Sequence, residues 1–210
     1  MSQQERVIAY FDGSNFYHLC KINFGKTNID LGKISQQMLK PNELLTNIRY
    51  FNSPINQQEE PEKYSKQQRF FSKLKENSLT TLHLGRLVKR PINKIKFNCV
   101  DCGLRQVESL QCPICNKARS VSEIFKTTEK GVDVLIAIQL ILDALEKKFD
   151  SALLFSGDAD LVPAIKHITE KLNKKVVFCS FPRPKTNELI DCCSETRVIH
   201  LADIEKSKVL

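Results

Sequence analysis

Glycine is scarce in this sequence, 7 of 210 residues, and nowhere does it take the G-x-x-x-x-G-K spacing that cradles phosphates ahead of a helix. A P-loop nucleotide site is therefore excluded. Also missing is the basic, long-apolar, small-residue order of a secretion signal, because the amino terminus reaches Glu5 and Arg6 at once. The most apolar stretch, around Val132–Leu145, is interrupted by Asp133, Gln139 and Asp143, so it cannot cross a bilayer unaided. There is no internal repeat and no low-complexity tract. None of His18, His83, His167 and His200 has a recognisable catalytic companion in sequence. Together these absences predict a soluble, cytoplasmic protein without a membrane partner. In such a compartment its eight cysteines read as metal ligands or buried thiols rather than as disulfides.

What is present is a chain long enough for one α/β core with an appendage but short for two ordinary domains. Hydrophobic residues make up 41% and charged residues 27%, an ordinary balance for a folded chain. The net charge of +8 is unevenly placed: between Arg86 and Lys130 there are ten Lys/Arg against four Asp/Glu. Four zinc-bound thiolates there would lower that excess by about two charges. The segment remains basic, and its natural partner is a polyanion. A charge run of this kind also reads as a merely solvated face, and composition alone leaves the two readings even.

Periodicity orders the rest. Arg6–Phe11 is an apolar, β-forming run ending at Asp12-Gly13, after which Ser14 or Asn15 can cap a helix. Asn47–Phe51 is a second strand, Gln57–Asn77 an amphipathic helix and Thr80–Val88 an alternating third strand. Periodic structure resumes with a helix over 132–145. A strand at Ala152–Phe155 follows, then a helix at Leu161–Leu172, a strand at Lys175–Cys179, a short helix and a last strand at Arg197–Leu201. Strands alternating with helices predict a Rossmann-like, three-layer α/β fold, a parallel sheet with helices on both faces.

In such sheets ligands bind beyond the carboxyl ends of the strands. Asp12 follows the first strand, Asp158 and Asp160 follow the fourth, and Asp133 opens the helix before it. Carboxylates gathered at one edge repel unless a divalent cation lies among them, and Mg²⁺ or Mn²⁺ favours such hard oxygen ligands. Each acid taken singly has a structural use as well: Asp12-Gly13 as a turn, Asp160 as a helix cap, Asp133 against a helix dipole.

The motifs Tyr10-Phe-Asp-Gly-Ser-Asn-Phe-Tyr17, Lys130-Gly-Val-Asp133 and Ser156-Gly-Asp-Ala-Asp-Leu-Val-Pro163, in this order, resemble the NYN domain, a PIN-like nuclease family of the LabA-like kind. The resemblance covers about Arg6–Leu201 outside the cysteine-bearing segment. It implies that Asp12, Asp133, Asp158 and Asp160 hold Mg²⁺ or Mn²⁺ as catalytic acids, that Asn15 and Ser156 support them, and that the substrate is RNA, cleaved by hydrolysis. One departure is the run Cys192-Cys193-Ser194-Glu195, where many relatives carry an acid after a small residue. Either Glu195 compensates or the position is not needed.

A second constellation is Cys99-x2-Cys102-x9-Cys112-x2-Cys115, two pairs with the spacing of tetrahedral zinc–thiolate sites. Four protein ligands make such a zinc structural. Cys20, Cys179, Cys192 and Cys193 lack paired spacing and read as core residues. The expected organisation is an α/β domain formed by residues 1–88 and 126–210 with a zinc-binding insertion at 89–125. Arg86, Lys89, Arg90, Lys94, Lys96, Lys126 and Lys130 are the candidate nucleic-acid contacts. Two other readings stay open: a non-catalytic RNA-binding or scaffold protein that keeps the fold, and a phosphatase-like enzyme on small phosphates. Assembly as a homodimer also stays open.

Overall fold

The first strand shows how the sequence sets up the layers. In β1 (Glu5–Asp12) every residue from Val7 onward is buried. Successive side chains of a strand point to opposite faces. Val7, Ala9 and Phe11 accordingly join one apolar cluster, and Ile8 and Tyr10 join a second. A strand buried on both faces needs helices on both faces. The computed structural model, which describes residues 4–91, 95–96, 106–107, 109–111, 114–120, 125–184 and 186–208, supplies them.

After β1 come α1 (Gly13–Phe24), α2 (Leu31–Gln37), β2 (Glu43–Asn52), α3 (Pro61–Glu76) and β3 (Thr80–Leu84). A separate unit, Arg86–Lys130, follows. It contains β4 (Arg86–Pro91), β5 (Ile95–Lys96), β6 (Gln106–Val107), β7 (Ser109–Gln111), β8 (Ala118–Ser120) and β9 (Phe125–Lys130). The main unit then resumes with α4 (Val132–Leu145), β10 (Ser151–Phe155), α5 (Val162–Glu170), β11 (Lys175–Ser180), α6 (Asn187–Cys192), β12 (Glu195–Val198) and α7 (Leu201–Lys206).

The main unit is built on a six-stranded, wholly parallel sheet in the order β12-β11-β10-β1-β2-β3. One face packs Phe16 and Cys20 of α1, Ile34 of α2, Phe71 of α3 and Ile204 of α7. The other packs Val132, Ile136 and Leu140 of α4, Ile165 and Ile168 of α5, and Leu189 of α6. The four-residue spacing along α4 is what one buried helical stripe requires. Phe11 of β1 stacks on Phe155 of β10 with centroids 4.1 Å apart, at the centre of the sheet. Truncating either ring would cost about 3–5 kcal/mol, the usual loss for a buried Phe. The expected three-layer α/β fold is the observed one. Among the described residues no helix is long and apolar enough to cross a membrane.

Several boundaries differ from the sequence reading. The alternation over Thr80–Val88 is broken at Gly85, so that β3 closes the large sheet while β4 pairs antiparallel with β9. Alternation cannot report a change of partner, since both strands share the same period. The last strand ends at Val198, and Leu201 opens α7. There His200 and Asp203 form a reciprocal cap in which the His200 N–H donates to Asp203 at 2.8 Å. The helix expected from Gln57 starts at Pro61, whose ring suits a first turn. The helix expected over Leu161–Leu172 begins as a 3-10 turn at Ala159–Leu161 and ends at Glu170. Helix α2 was not expected; at seven residues, with Asp30 as its cap, it is too short to show a period.

In the Arg86–Lys130 unit, β4–β9, β5–β6 and β7–β8 are each a two-stranded antiparallel pair.

Candidate metal centre at the carboxyl edge of the sheet

Chain order reverses between β1 and β10: β2 and β3 continue to one side, β11 and β12 to the other. A parallel sheet opens a crevice at such a point, outside the carboxyl ends of the two strands. Asp12 ends β1, and Ser156 directly follows β10. The chemistry-bearing residues sit there because the strands end there.

Asp12 is 4% exposed and is itself the N-cap of α1, accepting the Asn15 N–H at 3.1 Å. This corrects the expectation that Ser14 or Asn15 caps the helix. The other Asp12 oxygen accepts the Ser156 hydroxyl at 3.1 Å, and Ser156 Oγ in turn accepts the Asp158 N–H at 3.2 Å. Asn15 Oδ1 accepts the Gly157 N–H at 2.9 Å. The two polar supports therefore fasten the loop after β10 to the end of β1. Gly13 is required at the turn between them, since a Cβ there would lie 2.2 Å from the hydroxyl oxygen of buried Tyr50.

Asp158 caps the 3-10 turn by accepting the Asp160 N–H at 2.9 Å, so the capping role expected of Asp160 belongs to Asp158. Asp133 lies in the first turn of α4, behind Gly131, whose φ of 86° is a left-handed conformation that glycine accepts at little cost. Asp133, Asp158 and Asp160 each present a carboxylate oxygen, and these oxygens all lie within 4.8 Å of one another. Among the described residues neither Asp158 nor Asp160 forms a salt bridge. Oxygen ligands ~2.1 Å from one Mg²⁺ are at most ~4.2 Å apart, so the spacing is close to what such an ion requires. The donors are all hard oxygens. The residues fit a divalent cation of the Mg²⁺ or Mn²⁺ type, with Asp12 joined to the group through Ser156.

One supporting residue escaped the sequence reading. Thr186, at the start of α6, donates its hydroxyl to the Gly157 carbonyl at 3.1 Å and pins the same loop from the other side. A lone Thr in a Pro-rich loop carries no signal for this. Glu195 does not stand in for the acid that the resemblance leads one to expect before the last strand. It opens β12 at the opposite edge, bound to Arg197 at 2.9 Å and to Lys40 at 2.7 Å. Those cations, the Arg197 hydrogen bond first, pull its pKa down to about 2.

The expected zinc ligands fall mostly elsewhere: Cys99, Cys102 and Cys112 lie outside the described residues, and Cys115 is exposed and free of disulfide. In sequence, the first pair lies between the paired strands β5 and β6 and the second between β7 and β8. Cys20 and Cys179 are buried and Cys192 and Cys193 half-buried, as core thiols are. Burial pushes the Cys20 thiol up to about 12. Of the candidate nucleic-acid contacts, Arg86, Lys89, Arg90 and Lys130 are exposed on β4 and β9. Lys96 and Lys126 belong to β5 and β9, and Lys94 lies outside the described residues.

The sequence pattern of the NYN domain matches residues 6–201. The chain belongs to the NYN domain family. This NYN chain is similar to the 6-hydroxy-3-succinoylpyridine 3-monooxygenase HspA of Pseudomonas putida, 26% identical over 188 residues. That match takes in 80% of this chain and 56% of the relative, so the chain spans little more than half of that relative's length. It also superposes on a solved protein of unknown function from Vibrio parahaemolyticus with a TM-score of 0.61 at 18% identity. The superposition covers 100% of this chain and 99% of the other, and shares the fold alone.

Proposed function

We propose that this NYN domain is a divalent-metal-dependent ribonuclease that hydrolyses RNA phosphodiester bonds at Asp12, Asp133, Asp158 and Asp160. The observation that carries the reading is the convergence of three carboxylates within 4.8 Å at the sheet's switch point. Mg²⁺ or Mn²⁺ held by these acids would supply water activation and charge neutralisation at phosphate. The chain's own residues do the positioning. Ser156 orients Asp12 through its hydroxyl and holds the backbone of Asp158 with the same oxygen. Asn15 fixes the loop between them, and Arg86, Arg90 and Lys130, exposed on β4 and β9, attract the substrate backbone.

The name of the Pseudomonas relative assigns it a monooxygenase activity on a substituted pyridine. The acid cluster favours hydrolysis at phosphate, because an all-oxygen donor set suits a hard cation of the Mg²⁺ or Mn²⁺ type, which would act as a Lewis acid at phosphate. The test is incubation of the purified protein with labelled single-stranded RNA and DNA in Mn²⁺, in Mg²⁺ and in chelator. Cleavage of RNA that needs either metal is the expected result; intact RNA under every condition would end the nuclease reading.

The four cysteines are proposed to hold one structural zinc, each Cys-x-x-Cys falling between two antiparallel strands as a zinc knuckle would. About one zinc per chain should survive dialysis, measured by metal analysis, whereas the ion at the acid cluster exchanges freely. Loss of all zinc on dialysis would contradict the assignment.

A further inference from the structure

The pairing of β4 with β9 sorts the basic residues by face. The register runs unbroken from Arg86↔Lys130 through Val88↔Thr128 to Arg90↔Lys126, with Leu87↔Glu129 and Lys89↔Thr127 between them. Alternation along a strand places Arg86, Val88 and Arg90, with the partners Lys130 and Thr128, on one face of this ribbon. Lys89 falls on the other face, with Leu87 and Glu129. Among the residues whose side chains are described, this face carries three cations and no acid.

The arrangement is costly as it stands. Directly opposite residues of an antiparallel pair have Cβ atoms about 4.5–5.5 Å apart, and like charges so placed repel. Arg86↔Lys130 is a directly opposed pair of this kind, with Arg90 further along the same face. Arg86, Arg90 and Lys130 are exposed, and among the described residues none of the three forms a salt bridge. A ribbon needs no such pattern to fold. A polyanion lying along the face would convert the repulsion into attraction.

We infer that the Arg86–Arg90–Lys130 face of the ribbon is a phosphate-backbone clamp that holds nucleic acid without reading its sequence. The inference rests on the proposal that a nucleic acid is the substrate, and it names how that substrate is held. Arg86 and Arg90 are four residues apart along the strand, about 14 Å at ~3.4 Å per residue, so they engage different phosphates. Between them on this face lie only Val88 and its partner Thr128, neither of them an aromatic on which a base could stack. Contacts confined to phosphate position a strand and carry no sequence information.

The test is binding of fluorescein-labelled 20-nucleotide oligo(A) and oligo(U) RNA, and of a 20-base-pair duplex, by anisotropy across a salt series with no divalent metal added. Four proteins are compared: the natural chain, R86Q/K130Q, R90Q and K89Q. R86Q/K130Q should lower the slope of log Kd against log salt by about 1.4 on single strands, or about 1.8 on duplex, following the loss of two phosphate contacts, and R90Q by about half as much. Lys89→Gln should leave the slope unchanged, and oligo(A) and oligo(U) should bind alike. Which arm binds more tightly identifies the form of nucleic acid. Removing the opposed charges should leave the melting temperature unchanged or raise it, so a fall in affinity cannot be ascribed to unfolding. Equal losses in K89Q and R90Q, an unchanged slope in R86Q/K130Q, or a strong preference between the two homopolymers would overturn the clamp. Because binding is read without cleavage, a protein that binds in this way but never cuts RNA would end the nuclease proposal and leave the clamp standing.

Discussion

The two edges of the parallel sheet treat acids in opposite ways. At the amino edge, where strands begin, each acid is matched by a cation: Glu5 with Lys175 at 3.0 Å, Glu43 with Arg197 at 2.7 Å, Asp150 with Arg6 at 3.0 Å and Lys174 at 3.2 Å, Glu195 with Lys40 and Arg197. At the carboxyl edge three carboxylates crowd within 4.8 Å, and neither Asp158 nor Asp160 has a salt-bridge partner among the described residues. Pairing consumes charge in order to hold strands together. Leaving like charges crowded serves no packing purpose and suits a site whose counter-charge arrives as an ion. The difference separates a structural edge from a chemical one within a single sheet.

The largest effect should come from breaking the structural edge. Arg197 is 12% exposed and also donates to the Met38 carbonyl, and Glu43 is 3% exposed, so Arg197→Met leaves a buried carboxylate without its partner. Urea unfolding should report a loss of about 3–5 kcal/mol, the usual cost of removing one member of a buried pair. The rate of RNA cleavage per folded molecule should not change.

A smaller effect, on the chemical edge only, is expected of Ser156→Ala. The hydroxyl that Asp12 accepts is lost, and so is the acceptor for the Asp158 N–H. Outer partners of metal ligands are worth about 10–100-fold, so kcat in Mn²⁺ should fall within that range while the melting temperature moves little. A large stability loss with unchanged kcat would move Ser156 from the chemical edge to the structural one.

How far the two edges were legible in the sequence follows from the range of their contacts. The carboxyl edge is written in short segments, Asp12 to Asn15 and Ser156 to Asp160, whose internal contacts span two or three residues. The layers were legible too, because strands buried on both faces read as continuous apolar runs. The amino edge was not: Arg197 meets Glu43 across 154 residues and Arg6 meets Asp150 across 144. No local pattern joins such partners, and for the same reason the sequence left open whether Glu195 compensates for an acid missing before the last strand, when it is bound to Arg197 and Lys40. Gly85 was equally silent, since one alternating run served two strands in different sheets.

Acid should sharpen the contrast gently. The Arg197 hydrogen bond holds the Glu195 pKa at about 2 against an ordinary value of 4.5. The Arg6 guanidinium, helped by the Lys174 ammonium, holds Asp150 well below the usual carboxylate range. A depressed carboxylate contributes stability that is complete above its unfolded value and is lost as pH falls through its folded one. Melting temperature should therefore decline as pH is lowered from about 4.5 towards about 2, and that decline should be shallower in Glu195→Gln. An equally steep decline in that variant would show that the pair contributes nothing.

The most direct measurement is the initial rate of single-stranded RNA cleavage as Mn²⁺ is titrated, compared among the natural chain, Asp158→Asn and Arg197→Met at equal folded concentration. The account predicts saturable, metal-dependent cleavage in the natural chain and in Arg197→Met. In Asp158→Asn, folded normally, the maximal rate should fall by roughly 10²–10³-fold, the scale of losing one charge-stabilising group. Cleavage at an undiminished rate in Asp158→Asn, or its loss in Arg197→Met while the protein is still folded, would contradict the division of this sheet into a chemical edge and a structural one.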